Sequence, residues 1–125
     1  VPAPAGLRVL VVEDQHLIAM LIESYLGDLG HETCAIVASE LDAVEAAARI
    51  NPDLVIADVN LRPGNGPDAV EAIGRARGSP VASLFISGEA HRLRAERPDL
   101  VFLSKPFRAR DLAAGIGKAM AAVRA

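Results

Sequence analysis

A chain of 125 residues is one domain's worth, since domains cluster near ~100–150 residues, and this excludes a multidomain enzyme. Hydrophobic residues at 51% and charged residues at 23% are ordinary globular usage, which excludes intrinsic disorder and a coiled coil. A net charge of -3, with one tyrosine, three phenylalanines and no tryptophan, lacks both the basic surface and the stacking platforms that nucleic acid requires, so no nucleic-acid binding by this chain itself is expected. The single cysteine, Cys34, rules out a disulfide framework and a Cys-rich zinc site and fits a reducing compartment, so a cytoplasmic location is expected. No apolar run approaches the ~18 residues of a membrane helix, and the opening VPAPAG lacks the plan of a signal peptide. No membrane association is expected, residues 1–6 read as a flexible leader, and 7–125 read as a single folded domain.

Leu7 to Val12 is a β-branched apolar run too short for a helix, which suits a strand covered on both sides. From Gln15 to Leu29 the residues Leu17, Ile18, Leu21, Ile22, Tyr25, Leu26 and Leu29 recur at three- and four-residue steps, predicting an amphipathic helix stopped by Gly30. A second strand is predicted over Thr33 to Ala38. Ser39 with Asp42 reads as an N-cap arrangement opening a helix from Glu40 to Ile50. Asn51-Pro52 breaks that helix, and a strand follows over Asp53 to Val59. Asn60 to Gly66 reads as a loop, with Pro67 in the first turn of a helix reaching about Arg77. Pro80 to Ser87 and Leu100 to Leu103 complete five strands, and Phe107 to Arg124 closes the chain as an amphipathic helix.

Strands alternating with helices at this spacing predict an α/β domain: a flavodoxin-like, doubly wound, five-stranded parallel sheet with about five helices. Gly88 to Pro98 has weak helical periodicity, so the fourth helix is expected to be short or irregular. In such sheets ligands bind outside the carboxyl ends of the strands. The polar groups predicted there are Glu13 and Asp14, Asp58, Ser87 and Lys105. Three carboxylates in one crevice repel each other unless a hard cation sits among them, which implies Mg²⁺. A carboxylate in that setting is a nucleophile toward phosphorus, with the metal on one side and a lysine and a hydroxyl on the other to hold the phosphoryl oxygens.

VLVVED at 9–14, LVIADVNL at 54–61, LFISGE at 84–89 and FLSKPF at 102–107, in that order and register, resemble the receiver domain of bacterial two-component response regulators. The likeness runs from about Leu7 to the C-terminus, so 7–125 is expected to be the receiver domain. It implies that Asp58 is the phosphoacceptor and that Glu13, Asp14, Asp58 and the backbone carbonyl of Asn60 bind Mg²⁺. It further implies that Ser87 hydrogen-bonds the phosphoryl group, that Lys105 pairs with its charge, and that a cis peptide bond before Pro106 aims Lys105 at the site. Phe102 occupies the family's aromatic switch position, which is usually tyrosine, and Asn60 and Glu89 stand where the family tunes hydrolysis of the acyl phosphate. The implied partners are a histidine kinase or histidine phosphotransfer protein and a downstream protein, with the chain a monomer or a phosphorylation-dependent dimer. Output is expected through partner contacts or by draining phosphate from a kinase. The short segment ending in ERPDLVFLSKPF resembles the receiver half of bacterial general-stress regulators that sequester an anti-sigma factor more than it resembles chemotaxis receivers.

Blander readings stand beside these. Asp58 alone could be a turn or capping aspartate, Asp14 could cap the first helix, and Lys105 could be a solvated lysine. His91, Arg92, Arg94 and Arg97 form a basic cluster that reads as a solvated loop, or alternatively as a dock for an acidic partner. His16 and His31 read as surface histidines, Cys34 as a half-buried thiol and Tyr25 as core. Two rival functions remain open: a phosphohydrolase of the haloacid-dehalogenase type, and a receiver-like module that binds partners without phosphorylation. Against the first, Asn60 stands where those enzymes use a second aspartate.

Overall fold

The structure, a computed structural model, describes residues 5–61 and 63–124. Residues 1–4 of the expected leader lie outside the described residues, whereas Gly6 is tied down, its N–H donating to the carbonyl of Gly30 at 3.1 Å. The elements run β1 (Arg8–Val12), α1 (His16–Asp28), β2 (Glu32–Val37), α2 (Glu40–Ile50), β3 (Leu54–Asp58), α3 (Gly66–Arg77), β4 (Ala82–Ser87), α4 (Ala90–Glu96), β5 (Phe102–Ser104) and α5 (Ala109–Arg124). All strands pair in parallel in the order β2-β1-β3-β4-β5, the predicted doubly wound sheet. α4 is short, with seven residues, as its weak periodicity implied.

The apolar runs become the central strands because only a strand covered on both faces can bury every side chain. Val9, Val11, Leu54, Ile56, Leu84 and Ile86 pack against Ile22 and Leu26 of α1 and Leu112 and Ile116 of α5. On the other face Leu10, Val12, Val55 and Phe85 meet Ala43 and Ala46 of α2, Ile73 of α3 and Ala90 of α4. The ends obey local chemistry. Ser39 accepts from the Asp42 N–H at 3.2 Å, and Asn65 caps α3 by accepting from Asp68 N–H at 2.8 Å. Gly30 takes φ +85° after α1, and the His31 N–H reaches back to the Leu26 carbonyl at 2.9 Å, the paired closure that a left-handed residue permits.

Three expectations are corrected. Leu17 is 80% exposed and Leu21 41% exposed, because α1 sits at one side of the sheet and covers it with a stripe narrower than its run of apolar residues. His31 is buried rather than on the surface, and its Nδ1 accepts the Leu7 N–H at 3.1 Å. Asp14 does not cap α1: Gln15 is the N-cap residue, without a side-chain bond. Tyr25 does pack, half-buried, edge-on against Phe107 at 6.1 Å, and Cys34 is half-buried.

Candidate active site at the carboxyl ends of the strands

Strand order reverses at β1, whose neighbours are β2 and β3, so a crevice opens beyond the carboxyl ends of β1 and β3. Glu13 follows β1, with its N–H held by the Val37 carbonyl at 2.8 Å, and Asp58 is the last residue of β3. Both are buried, at 3% exposure each, while Asp14 faces solvent. The β3–α3 loop folds back sharply: Asn60 bridges to Asn65, and the Gly66 N–H donates to the Val59 carbonyl at 3.0 Å. A side chain at Gly66 would overlap the carbonyl oxygen of Asp58, so glycine is what lets α3 begin directly against the end of β3.

The oxygens of Asp58 are both engaged. Oδ1 accepts the Asn60 N–H at 2.9 Å and Oδ2 accepts from Lys105 Nζ at 2.9 Å. Lys105 comes from beyond β5, with its N–H bound to the Ser87 carbonyl at 3.0 Å, and the peptide bond to Pro106 is cis. Ser87 ends β4 fully buried, and its Oγ accepts the Glu89 N–H at 2.9 Å. The structure therefore gathers Glu13, Asp14, Asp58, Ser87 and Lys105 at one rim, where Lys105 is paired to Asp58 and Asp58 also makes the two-residues-on bond of a turn aspartate. Phe102 lies in the core, its ring 6.0 Å from that of Phe85.

Glu13 is the strained partner. Its Oε2 accepts the Gln15 N–H at 3.1 Å, but its buried Oε1 has no hydrogen bond, and Lys105 Nζ stands 3.9 Å away. Burial foremost, and then the charge of Asp58, push its carboxyl up to about 7, against the opposing pull of the Gln15 N–H and Lys105. An unpartnered buried carboxylate oxygen is costly unless something cationic meets it. Glu13, Asp14 and Asp58 each offer an oxygen within 4.8 Å of one another. One ammonium among three carboxylates leaves excess negative charge, and an all-oxygen set suits a hard divalent cation that keeps several of its waters. The cleft beside them, about 300 Å³, is lined by Asp14, Gln15, Asp58, Asn60 and Lys105. A larger cavity of about 460 Å³, between the end of α3 and Pro80 and Val81, is mostly apolar and remote from this chemistry. Polar groups that converge, rather than size, mark the reactive cleft.

Sequence reading missed Gln15 and Gly66. The only local signals were a polar residue following an acidic pair and a glycine at the end of an Asn-Gly loop. The basic cluster is exposed, as the solvated reading has it, but most of it is helical rather than loop. It lies on and just after α4, where Arg92 binds Glu89 and Glu96, Arg97 binds Asp99 through two nitrogens, and Arg94 donates to the Phe102 carbonyl.

The family model of the response regulator receiver domain matches residues 9–116. The chain is 34% identical over 122 residues to the phyllosphere-induced regulator PhyR of Methylorubrum extorquens, covering 94% of this chain and 45% of that protein. The crystal structure of the response regulator PhyR from Brucella abortus superposes with a TM-score of 0.83 at 32% identity, covering 94% of this chain and 49% of that one. The receiver domain of the sensor histidine kinase PA1611 from Pseudomonas aeruginosa PAO1, with a magnesium ion coordinated in its active-site cleft, superposes with a TM-score of 0.78 at 26% identity, covering 94% and 99%. The chain spans about half the length of the PhyR proteins it matches. These relatives are signalling domains rather than enzymes, and they do not favour the phosphohydrolase alternative. Among the described residues no helix is long and apolar enough to cross a membrane.

Proposed function

This chain belongs to the response regulator receiver domain family of two-component systems, and we propose that Asp58 is its phosphoacceptor. The observation that carries the proposal is the contact of the Lys105 ammonium with a buried carboxylate at a strand end, 2.9 Å from Asp58 Oδ2, beside two further acids. An oxygen of Asp58 attacks the phosphorus of a phosphohistidine, the bond to the imidazole nitrogen breaks with its electron pair leaving on that nitrogen, and an acyl phosphate remains on Asp58. Lys105 passes from the carboxylate to a phosphoryl oxygen. The Ser87 hydroxyl, whose oxygen accepts from Glu89 N–H, keeps its own proton to donate. Glu13, Asp14, Asp58 and the Asn60 carbonyl would hold Mg²⁺, which when bound offsets the charge on the phosphoryl oxygens.

The phosphoryl group adds charge and acceptor oxygens where only a carboxylate stood. Phe102 and the neighbouring α4 then repack, and the altered face is read by a downstream protein or by a second copy of the chain. The donor is a histidine kinase or phosphotransfer protein in the cytoplasm.

Intact-mass measurement after incubation with a small acyl-phosphate donor tests the reading. Wild type gains one phosphoryl mass that depends on Mg²⁺, and Asp58→Ala gains none. Lys105→Ala still takes the phosphoryl group but no longer changes its partner binding on taking it. A wild type that stays at its starting mass with this donor and with a panel of phosphorylated kinases would sink the proposal.

A further inference from the structure

We propose that Arg94 is a positioning residue, a latch that fixes α4 to β5 and sets how readily a change at the site frees that helix. Seven residues are too few for a helix to hold itself in water, since nucleation alone is unfavourable below ~12–15 residues. α4 has no side-chain N-cap, and Ala90 is its one buried side chain. Tertiary ties must therefore hold it. Among the described residues, two side-chain hydrogen bonds join its ends to the sheet. The Glu89 N–H, at its N-cap, donates to Ser87 Oγ at 2.9 Å, and Arg94 Nη2, in its last turn, donates to the Phe102 carbonyl at 2.9 Å.

The other arginines nearby do not share this work. Arg92 spans Glu89 and Glu96 along the helix itself, and Arg97 closes on Asp99 two residues on. Only Arg94 crosses to a strand. β5 is the edge of the sheet, three residues long, so its carbonyls have room for an outside donor. The two ties differ in kind. The first belongs to Ser87 and weakens when that side chain moves toward a phosphoryl group and carries its oxygen away from the Glu89 N–H; the second is indifferent to the site. While Arg94 holds, losing the first tie shifts α4 part of the way. Without it, α4 is loose before any phosphoryl group arrives. The trigger rests on the phosphoacceptor reading; the latch itself does not.

Amide hydrogen exchange over 88–104, with β1 as internal reference, tests this on wild type, Arg94→Met and Arg94→Lys, before and after the acyl-phosphate donor, with the adduct followed by mass. A charge-assisted hydrogen bond of this kind corresponds to roughly a tenfold change in local opening. Before phosphorylation, α4 amides of Arg94→Met are expected to exchange about tenfold faster than wild type, β1 amides at an unchanged rate, and Arg94→Lys close to wild type. After phosphorylation, wild type gains exchange in α4 and Arg94→Met gains little more. Equal α4 exchange in Arg94→Met and wild type, or acceleration spread equally over β1, overturns the latch. Absence of an adduct would strike the phosphoacceptor reading alone, because the comparison before phosphorylation still decides the role of Arg94.

Discussion

The centre of the sheet and its β5 edge are built on different principles. Every residue of β3 is buried and its neighbours β1 and β4 are nearly so, layered on both faces by helices. Across the crevice, β5 has three residues, of which Phe102 and Leu103 are buried, and α4 has seven, of which Ala90 alone is buried, so α4 leans on individual hydrogen bonds. Close-packed interiors resist displacement, whereas segments with few buried contacts open locally at little cost. The acids that do the chemistry ride on the rigid part, and Ser87 stands at the boundary, with its carbonyl bonded toward Lys105 and its hydroxyl toward α4. A receiver needs this division: a fixed place to accept a group and a loosely held place to report it.

Truncation in each region should separate the two most widely. Ile56→Ala, at a fully buried position of β3, is expected to cost about 3–4 kcal/mol in chemical denaturation, from lost burial and the cavity left behind. Leu93→Ala on α4, only half-buried, should cost about 1 kcal/mol or less and should leave phosphoryl uptake by mass unchanged. Similar losses from both would erase the contrast.

Gly66→Ala probes whether the rigid region extends through the β3–α3 loop. Its new methyl meets the Asp58 main chain, which is held in the sheet and cannot retreat cheaply. A loss of about 2 kcal/mol is expected, with phosphoryl uptake slowed in protein that is still folded. A variant with wild-type stability and uptake would show the loop to be as compliant as α4.

The smallest effect belongs to the lower rim of the centre. Burial lowers the basicity of His31, and its unprotonated Nδ1 accepts the Leu7 N–H. The sign follows from linkage: the unfolded imidazole takes a proton near its ordinary 6.5 while the folded one resists. Stability from this group is therefore complete above pH 6.5 and declines as pH falls through the lower folded value. Denaturation midpoints of wild type and His31→Gln should converge between pH 7.5 and pH 5. A constant gap would mean that the His31 imidazole takes up its proton at the same pH in the folded and unfolded states.

Much of this was readable in the residues. β1, β3 and β4 announce themselves as apolar runs, and the residue that ends such a run must emerge at the sheet's rim, so Glu13, Asp14, Asp58 and Ser87 could be placed without coordinates. Ser39 and Gly30 were equally legible, because caps are local chemistry. Leu17 and Leu21 were not: helical period tells which residues share a face, but not how wide a stripe the neighbours cover. His31 read as a surface residue because burial of a polar side chain depends on a partner, here the Leu7 N–H, that sequence spacing does not reveal.

By itself, then, the amino-acid sequence determined the α/β class, the order of its elements and the set of polar residues at the strand ends. These follow from periodicity, turn chemistry and the two-residue repeat of a strand, all of which act over a few residues. The tertiary structure alone decided that the Lys105 ammonium closes on Asp58, that Glu13 keeps a buried oxygen without a hydrogen bond, and that Arg94 rather than its neighbours reaches β5. Those outcomes depend on distances between residues far apart in the chain, and only the packed sheet with its covering helices sets such distances.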